Sequence, residues 1–135
     1  MPSTDRAVPW LRRFAVWFLT IQGVGALLWW TVLWLWPPAR SPFLAPGAPD
    51  ATLMSFLVAD LVFYIGGSLV SAYGLKVGYH WGWTILCVHA GAAGYGGLYC
   101  MMLPVLSGGG WWGAMLMLPS LVLPSFFAWC LRPGS

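Results

Sequence analysis

The sequence predicts an all-α integral membrane protein in which four transmembrane helices form one antiparallel, up-down bundle. Of its 135 residues, 60% are hydrophobic and only 7% are charged, whereas soluble domains carry about 25% charged residues. Four apolar windows each approach the roughly 20 residues that a helix needs to cross a bilayer. Because the chain has the length of one domain, we assign residues 1–135 to a single transmembrane domain.

The first helix is expected at about residues 10–36. Its apolar run, Phe14 to Trp36, follows Arg12 and Arg13, which is also how a secretory signal peptide begins. This run is much longer than the roughly 7–15 apolar residues of a signal peptide. We therefore expect a permanent helix, and cleavage near Ala48 to Ala51 is the alternative.

The second helix is expected at about residues 52–75, after a proline-rich loop from Pro37 to Asp50 that cannot continue a helix. At helical spacing, one stripe of this segment is polar or small and the opposite stripe is aliphatic. The first stripe contains Asp60, Tyr64, Gly67, Ser71 and Gly74, and the second contains Val58, Val62, Ile65 and Leu69. Since hydrocarbon cannot satisfy polar groups, the polar stripe should face protein and the aliphatic stripe should face lipid.

The third helix is expected at about residues 80–103 and is rich in small residues. Ala90 with Gly94, and Ala93 with Gly97, have the small-xxx-small spacing that lets membrane helices pack closely. Gly67 and Ser71 repeat that spacing on the second helix. The pattern predicts a close seam between the second and third helices.

The fourth helix is expected at about residues 110–131, after a connection from Pro104 to Gly110. Pro119 and Pro124 each remove a backbone donor, so we expect a bend. Tryptophans cluster towards the ends of the four segments, where indoles anchor helices at the membrane interface. They include Trp10, Trp29, Trp30, Trp34, Trp36, Trp81, Trp83, Trp111, Trp112 and Trp129.

The basic residues predict the orientation, because Lys and Arg favour the cytoplasmic flanks of transmembrane helices. With this layout, five of them fall on one face: Arg6, Arg12, Arg13, Lys76 and Arg132. The other face has Arg40, accompanied by Asp50. We therefore expect both termini in the cytoplasm and the protein in a plasma or cytoplasmic membrane. The basic residues do not form a stripe, which argues against a nucleic-acid partner.

The candidate ligand-binding residues are Gln22, Asp60, Tyr64 and His89. Three of them, Gln22, Asp60 and His89, lie near the midpoints of different segments and so at similar depth. A charged Asp at the bilayer centre costs roughly 2.5–3.5 kcal/mol, so Asp60 should find a partner or water. We expect Asp60 to point inward and to contact Tyr64, Gln22 or His89, directly or through water. Such a network either serves a ligand or only holds the bundle together.

The sequence contains no recognisable catalytic or phosphate-binding motif, and its three cysteines lack metal-ligand spacing. We therefore predict no catalytic residues and no metal site, and the sequence leaves it unknown whether the protein binds a cofactor. The favoured function is non-enzymatic, either as an accessory subunit of a membrane complex or as a binder of a lipid-like ligand at the polar cluster. The expected partners are the bilayer, that ligand, and a membrane protein or a second copy of the chain.

Two other functions stay open on single residues. Asp60 could serve a small proton-linked transporter, and His89 could ligate a tetrapyrrole or pigment. In length and layout the chain resembles the small multidrug transporters, which depend on a membrane-embedded Glu in their first helix. This chain has no Glu, so we assign it to no family.

Overall fold

A computed structural model describes residues 7–133, and all regular secondary structure in that range is helical. Four stretches are long and apolar enough to cross a membrane. We refer to them as the first to fourth spans: Pro9–Leu35, Asp50–Val77, His80–Ser107 and Trp111–Cys130. Arg6, one of the residues behind the predicted orientation, lies outside the described range.

The individual helices have the following bounds: α1 Ala7–Leu35, a 3-10 helix Pro37–Phe43, α2 Asp50–Met54, α3 Leu57–Ala59, a π-helix Asp60–Gly66, α4 Gly67–Val77, α5 His80–Ser107 and α6 Trp111–Cys130. The first and fourth helices lie close to their predicted positions. The second span differs from the prediction, because it is three short α-helical pieces and a π-helical segment rather than one uninterrupted α-helix.

The π-helical segment changes which residues of the second span face inward. A π turn holds more residues than an α turn, so the positions that follow Asp60 rotate away from the phase of a regular α-helix. Val62 is 58% exposed, as the aliphatic stripe predicts, but Ile65 is only 5% exposed and packs with Trp30 and Leu33. Leu69 also packs against α1, beside Gly23. The prediction that Ile65 and Leu69 face lipid is therefore wrong.

The third helix is longer than predicted because Pro104 lies inside it. A proline removes one backbone hydrogen bond from a transmembrane helix, and packing against neighbouring helices can compensate for this loss. Pro104 is packed in this way, since it is fully buried. Instead, α5 ends at Ser107, and the next residue, Gly108, has φ +74° and donates its N–H to the Pro104 carbonyl at 2.8 Å. Gly108 and Gly110, both with positive φ, form the tight turn into α6, a conformation that favours glycine.

The predicted seam between the second and third spans is confirmed, but other glycines form its closest contact. A Cβ on Gly74 would lie 2.6 Å from the Gly82 Cα, and one on Gly67 would lie 3.2 Å from the His89 Cβ. Gly97 instead meets Leu121 of α6, and a Cβ on Gly94 would have no atom of another helix within 4 Å. The sequence pattern does not show which helix each small residue of α5 contacts. In the structure α5 packs on both α4 and α6, and its small residues are divided between these two contacts.

The end of the molecule that contains Arg12 is tightly closed. There the Arg12 side chain donates to the Leu75 carbonyl at 2.6 Å, in the last turn of α4, where a cation is favoured. The Trp83 indole N–H donates to the Ala128 carbonyl at 2.8 Å. Both contacts join residues from two spans, and the fully buried Phe127 ring packs in one cluster with Leu75 and Leu86. We call this the closed end.

At the opposite end, α1 and α6 separate. Their ring contacts, Phe14 and Phe18 against Phe127 at 5.6 and 5.7 Å, all lie near the closed end. Further along, the 3-10 helix packs against both α1 and α6. It is held by Arg40, which pairs with Asp50 at 2.8 Å and donates to the Leu33 carbonyl. This separation leaves room for a cavity.

Candidate functional site

A cavity of about 600 Å³ lies between α1 and α6, and its wall on α1 runs from Phe14, near the closed end, to Trp30. Its other walls come from the first half of the second span, the last half of α5 and the loop after the 3-10 helix. The wall is mostly aromatic and aliphatic. Its polar groups are the side chains of Gln22, Thr52, Asp60, Tyr64, Tyr99, Cys100 and Ser120, with the indole N–H groups of Trp17, Trp29 and Trp30. This is the usual composition of a site for a largely apolar small molecule.

The cavity opens sideways between α1 and α6. Trp17 on α1 and Leu116 on α6 line it and are still 68% and 56% exposed. Both belong to spans that are apolar enough to cross a membrane. In a bilayer this opening would therefore face hydrocarbon rather than water.

Asp60 lies in the cavity wall and accepts a hydrogen bond from Trp30. The Trp30 indole N–H donates to the Asp60 carboxylate at 3.0 Å, and Asp60 is half-buried at the first position of the π-helical segment. The inward direction agrees with the sequence prediction, but the direct partner differs from the three that were predicted. From the sequence alone, Trp30 is interpreted as a tryptophan that anchors its helix at the membrane interface. Its contact with Asp60 forms only because the second span packs on α1.

Tyr64 joins the second span to α6 across the cavity wall. Its hydroxyl donates to the Ser120 hydroxyl at 2.5 Å. The buried Gln22 side chain lies within hydrogen-bonding reach of the Tyr64 side chain, although the contact does not have ideal geometry. The indole N–H of Trp29 is buried without a described partner. Such groups are uncommon in folded proteins, because leaving one unsatisfied costs about 1–3 kcal/mol.

His89 lies behind the cavity wall rather than in it. The residue is fully buried, its Nδ1 is 3.3 Å from the Phe63 carbonyl, and its ring meets the Tyr64 ring at 5.5 Å. Nε2 has no partner among the described groups. The structure thus brings Gln22, Asp60 and Tyr64 to one cavity and puts His89 where it supports Tyr64.

Sequence reasoning missed Trp29, Trp30 and Ser120. Ser120 could have been found, because it is a polar residue near the middle of an apolar segment, next to a proline. The two tryptophans carry no such signal. Trp29 lies seven residues after Gln22, about two helical turns away on the same face, but the sequence shows no reason to separate it from the other tryptophans.

Chemically, the site can hold an apolar molecule and hydrogen-bond one polar group on it. Within residues 7–133, no three His, Cys, Asp or Glu side chains are grouped closely enough to hold a metal ion. A comparison with known proteins found no matching family model, curated protein or solved structure.

Proposed function

We propose that the chain is a non-enzymatic protein of a plasma or cytoplasmic membrane that binds a lipid-like ligand in this cavity. In this proposal the four spans form an antiparallel bundle with both termini in the cytoplasm. The ligand enters from the bilayer through the opening between α1 and α6. Gln22, Asp60 and Tyr64 contact it, and His89 positions Tyr64.

The observation that carries the proposal is the cavity of about 600 Å³, whose wall is mostly aromatic and aliphatic and includes the polar side chains of Gln22, Asp60 and Tyr64. A ligand with one polar end can hydrogen-bond to polar groups of this wall, while its apolar part covers the aromatic side chains.

Filling the cavity tests the proposal. Gly25 lines it, and apart from the adjacent residues and the surrounding helix backbone nothing lies within 4 Å of a Cβ on Gly25. We expect Gly25→Leu to leave the fold intact and to reduce the lipid-like molecules that copurify in mild detergent, as counted by native mass spectrometry. Gly91→Leu is the matched control, since Gly91 has equal space but lies outside the cavity wall.

Equal ligand retention by the two variants, both with unchanged circular dichroism, would show that the cavity is not a binding site. The same preparation reports on an accessory role. A second protein present at fixed stoichiometry would indicate that the ligand is bound within a complex, and monodisperse protein alone would argue against a subunit.

A proton-linked carrier is the second candidate, favoured by the position of Asp60. Its carboxylate lies on the cavity wall, at the start of a π-helical segment, and π-helical turns occur frequently at functional sites. We expect Asp60→Asn to keep the Trp30 hydrogen bond while removing the ionisable group. If the chain is a carrier, wild-type liposomes show pH-driven ion flux and Asp60→Asn liposomes do not. Absence of flux from the wild type across several pH gradients rejects this candidate.

A further inference from the structure

The Asp60 carboxylate keeps one oxygen free at the cavity wall. The Trp30 indole N–H donates to Oδ2 at 3.0 Å. Oδ1 accepts no hydrogen bond from the described residues, and it is not among their buried unpartnered atoms. Because Asp60 lines the cavity, Oδ1 is an accessible acceptor that a ligand can reach.

The charge of this carboxylate has no counterpart in the described part of the chain. Its hydrogen-bond donor, the Trp30 indole, is neutral, and the one salt bridge among residues 7–133 joins Arg40 to Asp50 instead. A carboxylate within a membrane span is costly unless it is paired. A cation that donates to Oδ1 supplies the missing charge and a charge-assisted hydrogen bond, which is stronger than a neutral one.

Aromatic rings lie beside Asp60 in the same wall. Phe56 is one helical turn earlier, since the Asp60 N–H donates to the Phe56 carbonyl at 2.8 Å, and the Phe56 ring meets the Tyr99 ring at 5.3 Å. The residue after Tyr99, Cys100, is close enough to Asp60 to interact with it electrostatically. All four residues line the cavity. The faces of such rings attract cations, ammonium groups among them.

We infer that the ligand is a cationic amphiphile, with one ammonium group on a long apolar body. This inference rests on the proposed function and names the chemical class of its ligand. The ammonium group donates to Asp60 Oδ1 and lies against the Phe56 and Tyr99 rings. The aromatic and aliphatic remainder of the wall covers the body of the molecule.

Four probes with the same chain length test this assignment: hexadecylamine, hexadecanol, palmitate and hexadecane. Each is radiolabelled and added at equal mole fraction, at pH 7, to phosphatidylcholine nanodiscs that contain the protein, and retention is measured against protein-free discs. We expect hexadecylamine to be retained about 10-fold better than hexadecanol, because it adds a charge-assisted hydrogen bond and cation–π contacts. The chain has a net charge of +3, so general electrostatic attraction would favour palmitate instead.

Asp60→Asn tests the proposed anionic group. Asn can still accept from Trp30 but carries no charge, so hexadecylamine retention should fall to the level of hexadecanol while hexadecanol retention is unchanged. Asp50→Asn is the matched control, because it removes the same charge from outside the cavity wall and should leave the hexadecylamine preference intact.

Tyr99→Leu tests the aromatic contribution. We expect hexadecylamine retention to fall about 2- to 5-fold with hexadecanol retention unchanged. Tyr95→Leu is its control, since Tyr95 is on the same helix, 75% exposed and outside the cavity wall. Circular dichroism identifies any variant that does not fold. If Asp60→Asn is such a variant, the comparison of Tyr99→Leu with Tyr95→Leu decides.

The outcomes separate the ligand class from the proposed function. Equal retention of hexadecylamine and hexadecanol by the wild type, or a preference for palmitate, would overturn the cationic class and leave lipid-like binding standing. A hexadecylamine preference that persists in Asp60→Asn, or equal losses in Tyr99→Leu and Tyr95→Leu, would also overturn it. Retention of all four probes at the level of protein-free discs would refute lipid-like binding itself.

Discussion

At the scale of single residues, the main question is how a carboxyl group is accommodated in an apolar helix. Asp60 is half-buried in the cavity wall, and a donor from α1, the Trp30 indole, satisfies one of its oxygens. A hydrogen bond between membrane helices contributes modestly, about 0.6 kcal/mol on average and up to roughly 1.7 kcal/mol. A hydrogen bond to a charged group contributes more, roughly 1.5–3 kcal/mol. The Trp30–Asp60 bond should therefore lie near the upper end of the membrane range.

Replacing Trp30 with Phe tests this bond. Trp30→Phe retains an aromatic ring but removes the donor, so we expect the free energy of unfolding to fall by about 1–2 kcal/mol. Unfolding of the purified protein in mixed detergent micelles measures it. Trp34→Phe, at an exposed position of the same helix, should change stability by less than about 0.5 kcal/mol. Equal losses in the two variants would show that the bond to Asp60 adds nothing.

The hydrogen bond between Tyr64 and Ser120 is a second residue-scale link, because it joins the second span to α6 across the cavity. A double-mutant cycle with Tyr64→Phe and Ser120→Ala isolates its coupling energy. We expect about 0.5–1.5 kcal/mol in the same unfolding assay. Strictly additive losses would mean that the two hydroxyls stabilise the fold independently.

At the scale of elements, α4 and α5 can approach closely because both residues at their closest contact, Gly74 and Gly82, lack a side chain. A Cβ on Gly82 would lie 2.6 Å from the Gly74 carbonyl carbon and 2.7 Å from the Leu75 nitrogen. Both are backbone atoms, so no side-chain rotation can relieve the clash. The helices pack closely here because hydrocarbon offers no hydrophobic driving force between them, and close van der Waals contact stabilises the pair instead.

Gly82→Ala should therefore separate α4 from α5 and destabilise the protein by about 1–3 kcal/mol or more. Gly91→Ala, on a face of the same helix where no atom of another helix lies within 4 Å of the new Cβ, should be neutral or stabilise by up to about 1 kcal/mol through helix propensity. The two variants are compared by their unfolding midpoints. If Gly82→Ala is as stable as Gly91→Ala, the seam is looser than the structure indicates.

At the scale of the whole molecule, the charges lie unevenly between its two ends. The closed end has Arg12, Arg13 and Lys76, whereas Arg40 at the cavity end is paired with Asp50. If the closed end is cytoplasmic, as the basic residues predict, most of the cavity wall lies in the outer half of the membrane, and its α1 side reaches Phe14 near the closed end. A ligand would then enter from the outer leaflet.

Reporter fusions test this orientation. Alkaline phosphatase is active only outside the cytoplasm, so a fusion after Ser135 should be inactive. An insertion at Gly47, in the exposed loop before the second span, should be active. Fluorescent-protein fusions at the same sites should show the opposite pattern. Strong phosphatase activity after Ser135 would reverse the orientation and place the cavity in the inner half.

Much of the candidate site could be predicted from the sequence. Polar residues stand out in apolar segments, so Gln22, Asp60 and Tyr64 were identifiable, and all three line the cavity. Their partners were not, because an indole N–H or a serine hydroxyl becomes a partner only when another helix brings it within about 3 Å. His89 was also identifiable as a polar residue near the middle of a span, but it is packed against Tyr64 and does not line the cavity.

The sequence by itself determined that the described chain is helical and that four of its stretches are long and apolar enough to cross a membrane. Length and hydrophobicity are local properties, and a bilayer-length helix satisfies its own backbone hydrogen bonds. Only the tertiary structure decided the π-helical segment, the inward turn of Ile65 and the separation of α1 from α6 that opens the cavity. These features depend on how side chains from distant parts of the chain fit against one another, and helical periodicity carries no information about the partner.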